Sequence, residues 1–242
     1  MSSPASSPAS SPALTLPEEM LLLALDPQRG KPLCARGYLR YATAGAVLAE
    51  LELQGRIREE RGRVQVVNPL DPADPLLASL LRTLDPPSKS RFRSGTNAKR
   101  WVRQHAQYAE ENHLDALVQR GLLSRETRRF LGLFPYQRHF PVHPDLCAAA
   151  LRRFQHAEAY GFPDQRSRIL AALAAATGLA TTLSAQGRGS RPAMKLLLRA
   201  QWTALAVYRN VKQDRSNSGS GDGGGWSDGG GGGGCGGGGG GD

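Results

Sequence analysis

Both ends of the chain are too poor in large apolar side chains to join a folded core. Residues 1–13 read MSSPASSPASSPA, three copies of Ser-Ser-Pro-Ala without a charge, and residues 219–242 hold 17 of the 29 glycines. Segments of this kind bury too little apolar surface to offset the entropy lost on ordering. We therefore predict a disordered Ser/Pro/Ala tract over 1–13, one folded domain over 14–212 and a disordered Gly-rich tail over 213–242.

The body of about 200 residues suits one hydrophobic core, and its apolar residues recur mostly at helical spacing. Thr15 and Glu18 have the spacing of a capping box, and Gly55 is typical of the residue that follows a helix end. Helices are predicted over 15–25, 40–54, 75–84, 96–120, 144–160, 164–184 and 191–212. We expect an all-α fold, a single helical domain with one or two small β-hairpins.

A short pattern occurs twice and places the two hairpins. Residues 51–57 (LELQGRI) and 117–123 (LVQRGLL) each lead from a helix through a glycine to a strand-like stretch, over 56–67 and 130–142. This is the outline of a winged helix, which reads DNA through polar side chains on a recognition helix. The helix before the first glycine instead offers small apolar residues, namely Ala42, Ala44, Ala46, Val47 and Ala49. Packing is therefore favoured, and nucleic-acid binding is kept as an alternative.

The charge of the chain indicates an anionic partner. The formal net charge is +10, and since three aspartates lie in the tail, residues 1–218 carry +13. A surplus of this size favours nucleic acid or an anionic membrane surface. Its densest parts are three clusters, namely Lys89, Arg91 and Arg93; Lys99, Arg100 and Arg103; and Arg188, Arg191 and Lys195.

Several classes of protein are excluded. The longest apolar run, Ile169–Ala176, has 8 residues, well short of a membrane span, and no secretory signal is found. Three cysteines far apart in sequence form no disulfide framework, which favours a reducing, cytoplasmic setting.

No catalytic or metal-binding motif is found. The spacing of His139, His143 and Cys147 can gather three metal ligands, but Pro141 and Pro144 break any helix there and a fourth ligand is missing. The sequence has no nucleophile elbow, phosphate-binding glycine loop or dinucleotide fingerprint. We therefore expect no enzyme activity, no metal and no cofactor.

The segment 131–142 combines apolar, aromatic and basic side chains. Its residues Leu133, Phe134, Tyr136, Arg138 and Phe140 suit a membrane interface, where rings lie at headgroup level and cations meet anionic lipid. The alternative is that Phe134 and Phe140 fill the core under a hairpin.

Six segments in a fixed order carry a resemblance to a known family. They are 14–25 (LTLPEEMLLLAL), 44–57 (AGAVLAELELQGRI), 117–123 (LVQRGLL), 130–135 (FLGLFP), 168–173 (RILAAL) and 202–207 (WTALAV). Together they resemble the Golgi phosphoprotein 3 family, the Vps74-type phosphoinositide-binding domain, in a bacterial-type homologue. The resemblance implies a helical core with surrounding amphipathic helices and a hydrophobic β-hairpin that inserts into the bilayer. It also implies binding of phosphatidylinositol 4-phosphate, membrane-protein clients and no catalysis.

The resemblance also indicates where a lipid headgroup would bind. The headgroup pocket of eukaryotic members uses one tryptophan and three arginines. The corresponding positions here hold Ala35, Ala44, Gln107 and Glu110. The basic residues nearby are Arg36, Arg40, Arg100 and Arg103. Because guanidinium groups bind phosphate bidentately, these four are the predicted residues of a relocated headgroup site.

Residues and resemblance together predict a non-enzymatic, cytoplasmic protein that is peripherally associated with a membrane. Its predicted ligand is anionic phospholipid, by resemblance phosphatidylinositol 4-phosphate, and segment 131–142 is the predicted membrane-contacting hairpin. Two alternatives remain, a winged-helix-like nucleic-acid-binding protein and a soluble protein–protein adaptor. A homo-oligomer stays open.

Overall fold

The computed structural model describes residues 14–86, 95–130, 134–143 and 145–217, without the side chains at positions 130, 134 and 135. Within these ranges the helices are α1 (Leu16–Leu23), α2 (Arg36–Leu53), α3 (Pro75–Leu81), α4 (Ala98–Gln119), α5 (Asp145–Ala159), α6 (Gln165–Thr177), α7 (Ala180–Leu183), α8 (Arg191–Ala200) and α9 (Trp202–Asn217). The fold is mainly α, as predicted. The predictions for residues 1–13, for 218–242 and for the cluster of Lys89, Arg91 and Arg93 lie outside the described residues.

Three small antiparallel sheets accompany these helices in the described ranges. The first pairs β1 (Leu25–Asp26) with β2 (Lys31–Pro32), the second contains β3 (Ile57–Glu60), β4 (Arg63–Val66) and β5 (Thr96–Asn97), and the third pairs β6 (Leu123–Phe130) with β7 (Phe134–Pro141). One or two hairpins are expected from the sequence, so the expected number is too low. Strands of two residues, such as β1, β2 and β5, are too short to show a period-two pattern.

Helix α2 is the central element of the core. It packs against α1, α4, α6 and α9, and residues 41–51 are all buried. A helix that is buried all round needs small side chains where neighbours come close, which explains its alanines. At Gly45 an added Cβ would lie only 2.4 Å from Val207 Cγ2 of α9. The alanine-rich stretch is therefore a packing surface, and its side chains cannot reach the bases of DNA.

The acidic start of α1 belongs to a network of ion pairs. Glu18 pairs with Arg120, while Arg166 of α6 lies 3.0 Å from Glu19 and 3.2 Å from Glu50 of α2. All three glutamates are buried residues, at most 9% exposed. Buried carboxylates need such partners, so these acids serve the packing of α1 and do not form an acid/base pair.

Two glycines turn the chain from helix to strand. Gly55 (φ +65°) follows α2 and leads into β3, and Gly121 (φ +68°) follows α4 and leads into β6. Positive φ values are costly for other residues, which is why glycine stands at both helix ends. The predicted repeat of helix, glycine and strand is confirmed.

The two turns lie at opposite ends of the molecule because α2 and α4 run antiparallel. Arg40 near the start of α2 contacts Glu110 in the second half of α4, whereas β4, which follows α2, pairs with β5 just before α4. Helix α4 has 22 residues and is therefore about 33 Å long. The β3–β4–β5 sheet lies at its start, and the β6–β7 hairpin follows its end.

Two predicted helices are each divided into two. Asp164 caps α6 as predicted, since its Oδ1 accepts a hydrogen bond from the Ser167 backbone N–H at 2.9 Å. However, Gly178 ends α6 with φ +85°, and Gln201 is extended (φ −104°, ψ 110°) between α8 and α9. Helix α9 then continues to Asn217, beyond the expected end of the domain at position 212.

Candidate functional site

The β6–β7 hairpin is the longest pair of strands among the described residues. Its register pairs Leu123 with Pro141 next to the domain and Phe130 with Phe134 at the far end, so residues 131–133 connect the strands. The sequence predicts a hairpin over 131–142, whereas the first strand already begins at Leu123. Strand β6 (LSRETRRF) is mostly charged and shows no apolar alternation, which hides it from a pattern-based prediction.

The base of the hairpin is fixed to the domain. The His139 N–H donates to the Gly30 carbonyl at 3.2 Å, and Arg125 forms an ion pair with Asp115 of α4. Gly30 has φ +61°, and an added Cβ there would lie 2.7 Å from the ring of Phe140. Phe140 is therefore half-buried against Gly30, whereas the alternative interpretation of segment 131–142 places it in the core.

The outer part of the hairpin is cationic. Arg128 and Arg129 are exposed and lie opposite Tyr136 and Pro135. Arg128 forms an exposed ion pair with Glu126 of the same strand at 3.0 Å, which leaves the outer strand with a net positive charge. The Arg138 guanidinium lies 4.9 Å from the centroid of the Tyr136 ring, in a cation–π contact. Among the predicted membrane-contacting residues, Leu133 and the side chain of Phe134 lie outside the described part of the chain.

Two of the predicted headgroup residues are bound to an acid. Arg40 Nε lies 2.9 Å and Arg36 Nε 3.9 Å from the same oxygen of Glu110, whose side chain is 2% exposed. Burial raises the pKa of Glu110, while the two guanidinium groups counteract this rise. Glu110 occupies a position where the resemblance implies an arginine, so this position offers no cation to a phosphate.

The other two predicted headgroup residues lie closer to the start of α4. Arg103 lies 3.2 Å from Asp214 of α9, which also accepts the Tyr41 hydroxyl at 2.8 Å. Arg100 is exposed in the first turn of the helix. The four arginines therefore do not form one cluster, because two bind Glu110 and a third binds Asp214.

The remaining positions of the resembling family's pocket also lack its chemistry. Ala44 is completely buried in the core, and Gln107 is exposed, with its amide donating to Glu111 at 2.9 Å. Ala35 is the exposed residue that precedes α2. None of these three side chains can provide a cation for a phosphate.

A cleft of about 430 Å³ lies between the start of α2, the β1–β2 turn and β7. Its charged lining residues are Lys31, Arg36, Arg138 and Glu110. His139 also lines the cleft, is 7% exposed, and its Nε2 has no hydrogen-bond partner within the described ranges. Burial lowers the pKa of His139 to about 4, so the ring is neutral at pH 7. Three cations against one carboxylate, with a free ring nitrogen beside them, can hold an anionic group.

The spacing of His139, His143 and Cys147 resembles that of metal ligands, but no metal site is predicted there. In the part of the chain that the structure describes, no three His, Cys, Asp or Glu residues are grouped in a way that could hold a metal ion. His143 is exposed, whereas Cys147 is buried, and burial raises the pKa of its thiol to about 11.

Sequence reasoning missed Lys31, Arg128 and Arg129 as members of this region. A signal for the last two was present, since two adjacent arginines directly precede the apolar segment 130–134 (FLGLF). No local pattern indicates Lys31, because the turn that brings it to β7 is formed by strands of two residues.

Fold and site together define a mainly helical domain with a cationic β-hairpin at one end. The chain belongs to the Golgi phosphoprotein 3 (GPP34) family, whose model matches residues 16–213. No curated protein matches the chain significantly in sequence. Across the described residues, none of the helices combines the length and the apolar character that crossing a bilayer requires.

Proposed function

We propose that this chain is a non-enzymatic peripheral membrane protein that binds anionic phospholipid through the β6–β7 hairpin. The observation that carries the proposal is the register of the hairpin. It pairs Phe130 with Phe134 at the far end, next to the exposed Arg128 and Arg129. An apolar segment with cations beside it suits the boundary between acyl chains and anionic headgroups.

Two weak interactions act together in this mechanism. Each cation near an anionic leaflet contributes about 1 kcal/mol, and apolar residues at the turn add burial in the bilayer. Neither contribution anchors a protein stably by itself, so binding requires both. The hydrogen bond from the His139 N–H to the Gly30 carbonyl fixes the base of the hairpin to the domain.

Membership in the family supports a lipid-binding or adaptor role, and phosphatidylinositol 4-phosphate is the headgroup that the resemblance implies. The cleft beside β7 is the proposed place for its phosphate, between Arg36 and Arg138 and next to His139. Of the predicted quartet only Arg36 is kept in this site, because its contact with Glu110 is 3.9 Å long, whereas Arg40 and Arg103 are held more closely by Glu110 and Asp214. Membrane-protein clients are the partners that this function implies.

Liposome flotation of the full chain tests the proposal. Neutral vesicles are compared with vesicles that contain phosphatidylglycerol, phosphatidylinositol or phosphatidylinositol 4-phosphate, at low and at physiological salt. We expect binding to anionic vesicles only, weaker at higher salt. A preference for the 4-phosphate that persists at physiological salt and disappears in Arg36→Ala/Arg138→Ala would assign the headgroup to the cleft.

Matched variants separate the hairpin from general charge. Arg128→Ala/Arg129→Ala should weaken binding by about 2 kcal/mol, roughly 30-fold, whereas Arg152→Ala/Arg188→Ala removes the same charge elsewhere and should have a smaller effect. Leu133→Ser should weaken binding at physiological salt, with Leu70→Ser, at a leucine that is 69% exposed, as the control. Absence of binding to every vesicle would refute the proposal and favour a protein–protein adaptor.

A further inference from the structure

A second pocket lies far from the hairpin in sequence, between the end of α6, α7, α8 and α9. Its volume is about 170 Å³, and its walls are largely apolar. They are formed by Ala175, Gly178, Ala180, Thr181, Leu198, Leu205 and Tyr208. An apolar cavity of about 150 Å³ is known to accept a benzene ring, so this pocket has the size for the six-membered ring of an aromatic side chain that enters edge first.

The rim of the pocket is cationic. Arg191, Lys195 and Arg199 line it at intervals of four residues along α8, and no acidic side chain is among its lining residues. Lys195 and Arg199 are exposed and form no ion pair with any described residue. An apolar pocket with such a rim is complementary to an aromatic group that has carboxylates close to it.

The chain itself contains such a group beyond the last described residue. Trp226 is the one large apolar side chain in segment 218–242, apart from Cys235. Asp222 precedes it by four residues and Asp228 follows it by two. Glycines make up most of the intervening positions, and they allow the chain to turn tightly around the indole.

The chain also leaves the described part close to this pocket. Arg215, near the end of α9, places its guanidinium 3.5 Å from the position that a Cβ would take at Gly178 in the pocket wall. Helix α9 ends at Asn217, nine residues before Trp226. Nine residues span up to about 30 Å, so the indole can return to the pocket without strain.

We infer that Trp226 docks into this pocket of its own chain, with Asp222 and Asp228 pairing with Lys195 and Arg199 on the rim. The tail is then a tethered ligand of the α6–α9 face, and its glycines are the linker. This interaction is independent of lipid binding, since the pocket shares no lining residue with the cleft beside β7.

Fluorine NMR of the full chain labelled with 5-fluorotryptophan tests this inference. The three tryptophans give three resonances, and Trp226→Phe identifies the one that belongs to the tail. We expect this resonance to lie away from the position of a solvent-exposed indole. Charge reversal by Lys195→Glu/Arg199→Glu should move it to the solvent position, and adding Asp222→Lys/Asp228→Lys should restore the original shift.

Two further variants keep the test specific. Arg209→Glu reverses an exposed charge of α9 outside the pocket and should leave the Trp226 resonance unchanged. Ala175→Leu fills the pocket and should release the indole. A solvent-like resonance in the unaltered protein, or one that ignores the charge reversal, overturns the inference. A docked resonance that appears only at high protein concentration also overturns it, since the occupant is then the tail of a second copy.

Discussion

Arg40 of α2 and Glu110 of α4 form a partly buried ion pair, with the arginine Nε 2.9 Å from Oε2 of the buried carboxylate. The pair places an acid on α4 at a position where the family resemblance implies an arginine. The acid therefore does not repel a phosphate with its full charge, because Arg40 and the more distant Arg36 offset it. Lys31 and Arg138 then remain in the cleft beside β7 as cations that are not used to offset Glu110.

Arg40→Ala should lower the free energy of unfolding by about 2 kcal/mol, because it leaves the Glu110 carboxylate buried without its closest partner. Arg36→Ala should cost less than about 1 kcal/mol, since Arg36 is half-exposed and its Nε is 3.9 Å away. Urea denaturation measures both. If Arg40→Ala/Glu110→Gln were as unstable as Arg40→Ala alone, the unpaired charge would not be the cause.

Gly45→Ala should destabilise the domain by about 1–3 kcal/mol, because the new methyl group would meet Val207 Cγ2 at 2.4 Å. Gly37→Ala is the matched control on the same helix, with nothing within 4 Å of the added Cβ. It should stabilise by up to about 1 kcal/mol through helix propensity. Thermal and urea unfolding compare the two, and equal effects would argue against close packing of α2 and α9 at this position.

Stability should decrease as the pH falls from about 6.5 to about 4, and His139 is one cause. Burial lowers its pKa to about 4 in the folded protein, so the unfolded chain binds more protons over this range. Between pH 7 and pH 4, protonation of His139 lowers the free energy of unfolding by at most about 3 kcal/mol. Above pH 7 the effect of His139 on stability is constant. His139→Gln should flatten the pH profile, while buried His113, whose pKa is also lowered, keeps a residual slope. If stability depends on pH in the same way in His139→Gln as in the unaltered protein, protonation of His139 does not contribute to the loss of stability.

Two of the three cysteines should react slowly with thiol reagents at pH 8. Burial raises the pKa of Cys34 to about 12 and that of Cys147 to about 11, so very little thiolate is present. In Cys235→Ser, Ellman's reagent should therefore react slowly with the native protein and rapidly after addition of urea. A fast stoichiometric phase in the native variant would disprove the protection of both thiols.

The elements with strong local signals could be predicted from the sequence. The glycines at 55 and 121 fix two turns through their positive φ, and the alanines of α2 indicate a helix that is buried on all sides. The helix breaks at Gly178 and Gln201 were not predicted. Gly178 carries the same helix-ending signal as the glycines at 55 and 121. The extended backbone at Gln201 has no residue-specific cause.

The candidate site was predicted less completely because it depends on contacts between distant segments. The resemblance to the family groups Arg36, Arg40, Arg100 and Arg103 around one pocket. The acids that pair with three of them come close only when α2, α4 and α9 are packed together. Likewise, the cleft beside β7 exists because Gly30 contacts the hairpin 110 residues later. No property of either segment alone specifies that contact.

The length of α4 also separates two electrostatic environments. With the hairpin end at a membrane, the β3–β4 turn at the other end lies about 33 Å away, roughly four Debye lengths at physiological ionic strength. The cations there therefore experience almost none of the surface potential of the bilayer; they are Arg61, Arg63, Lys99 and Arg209, with Glu59 beside them. These charges therefore contribute little to the attraction toward the membrane, although they count in the net charge of the chain.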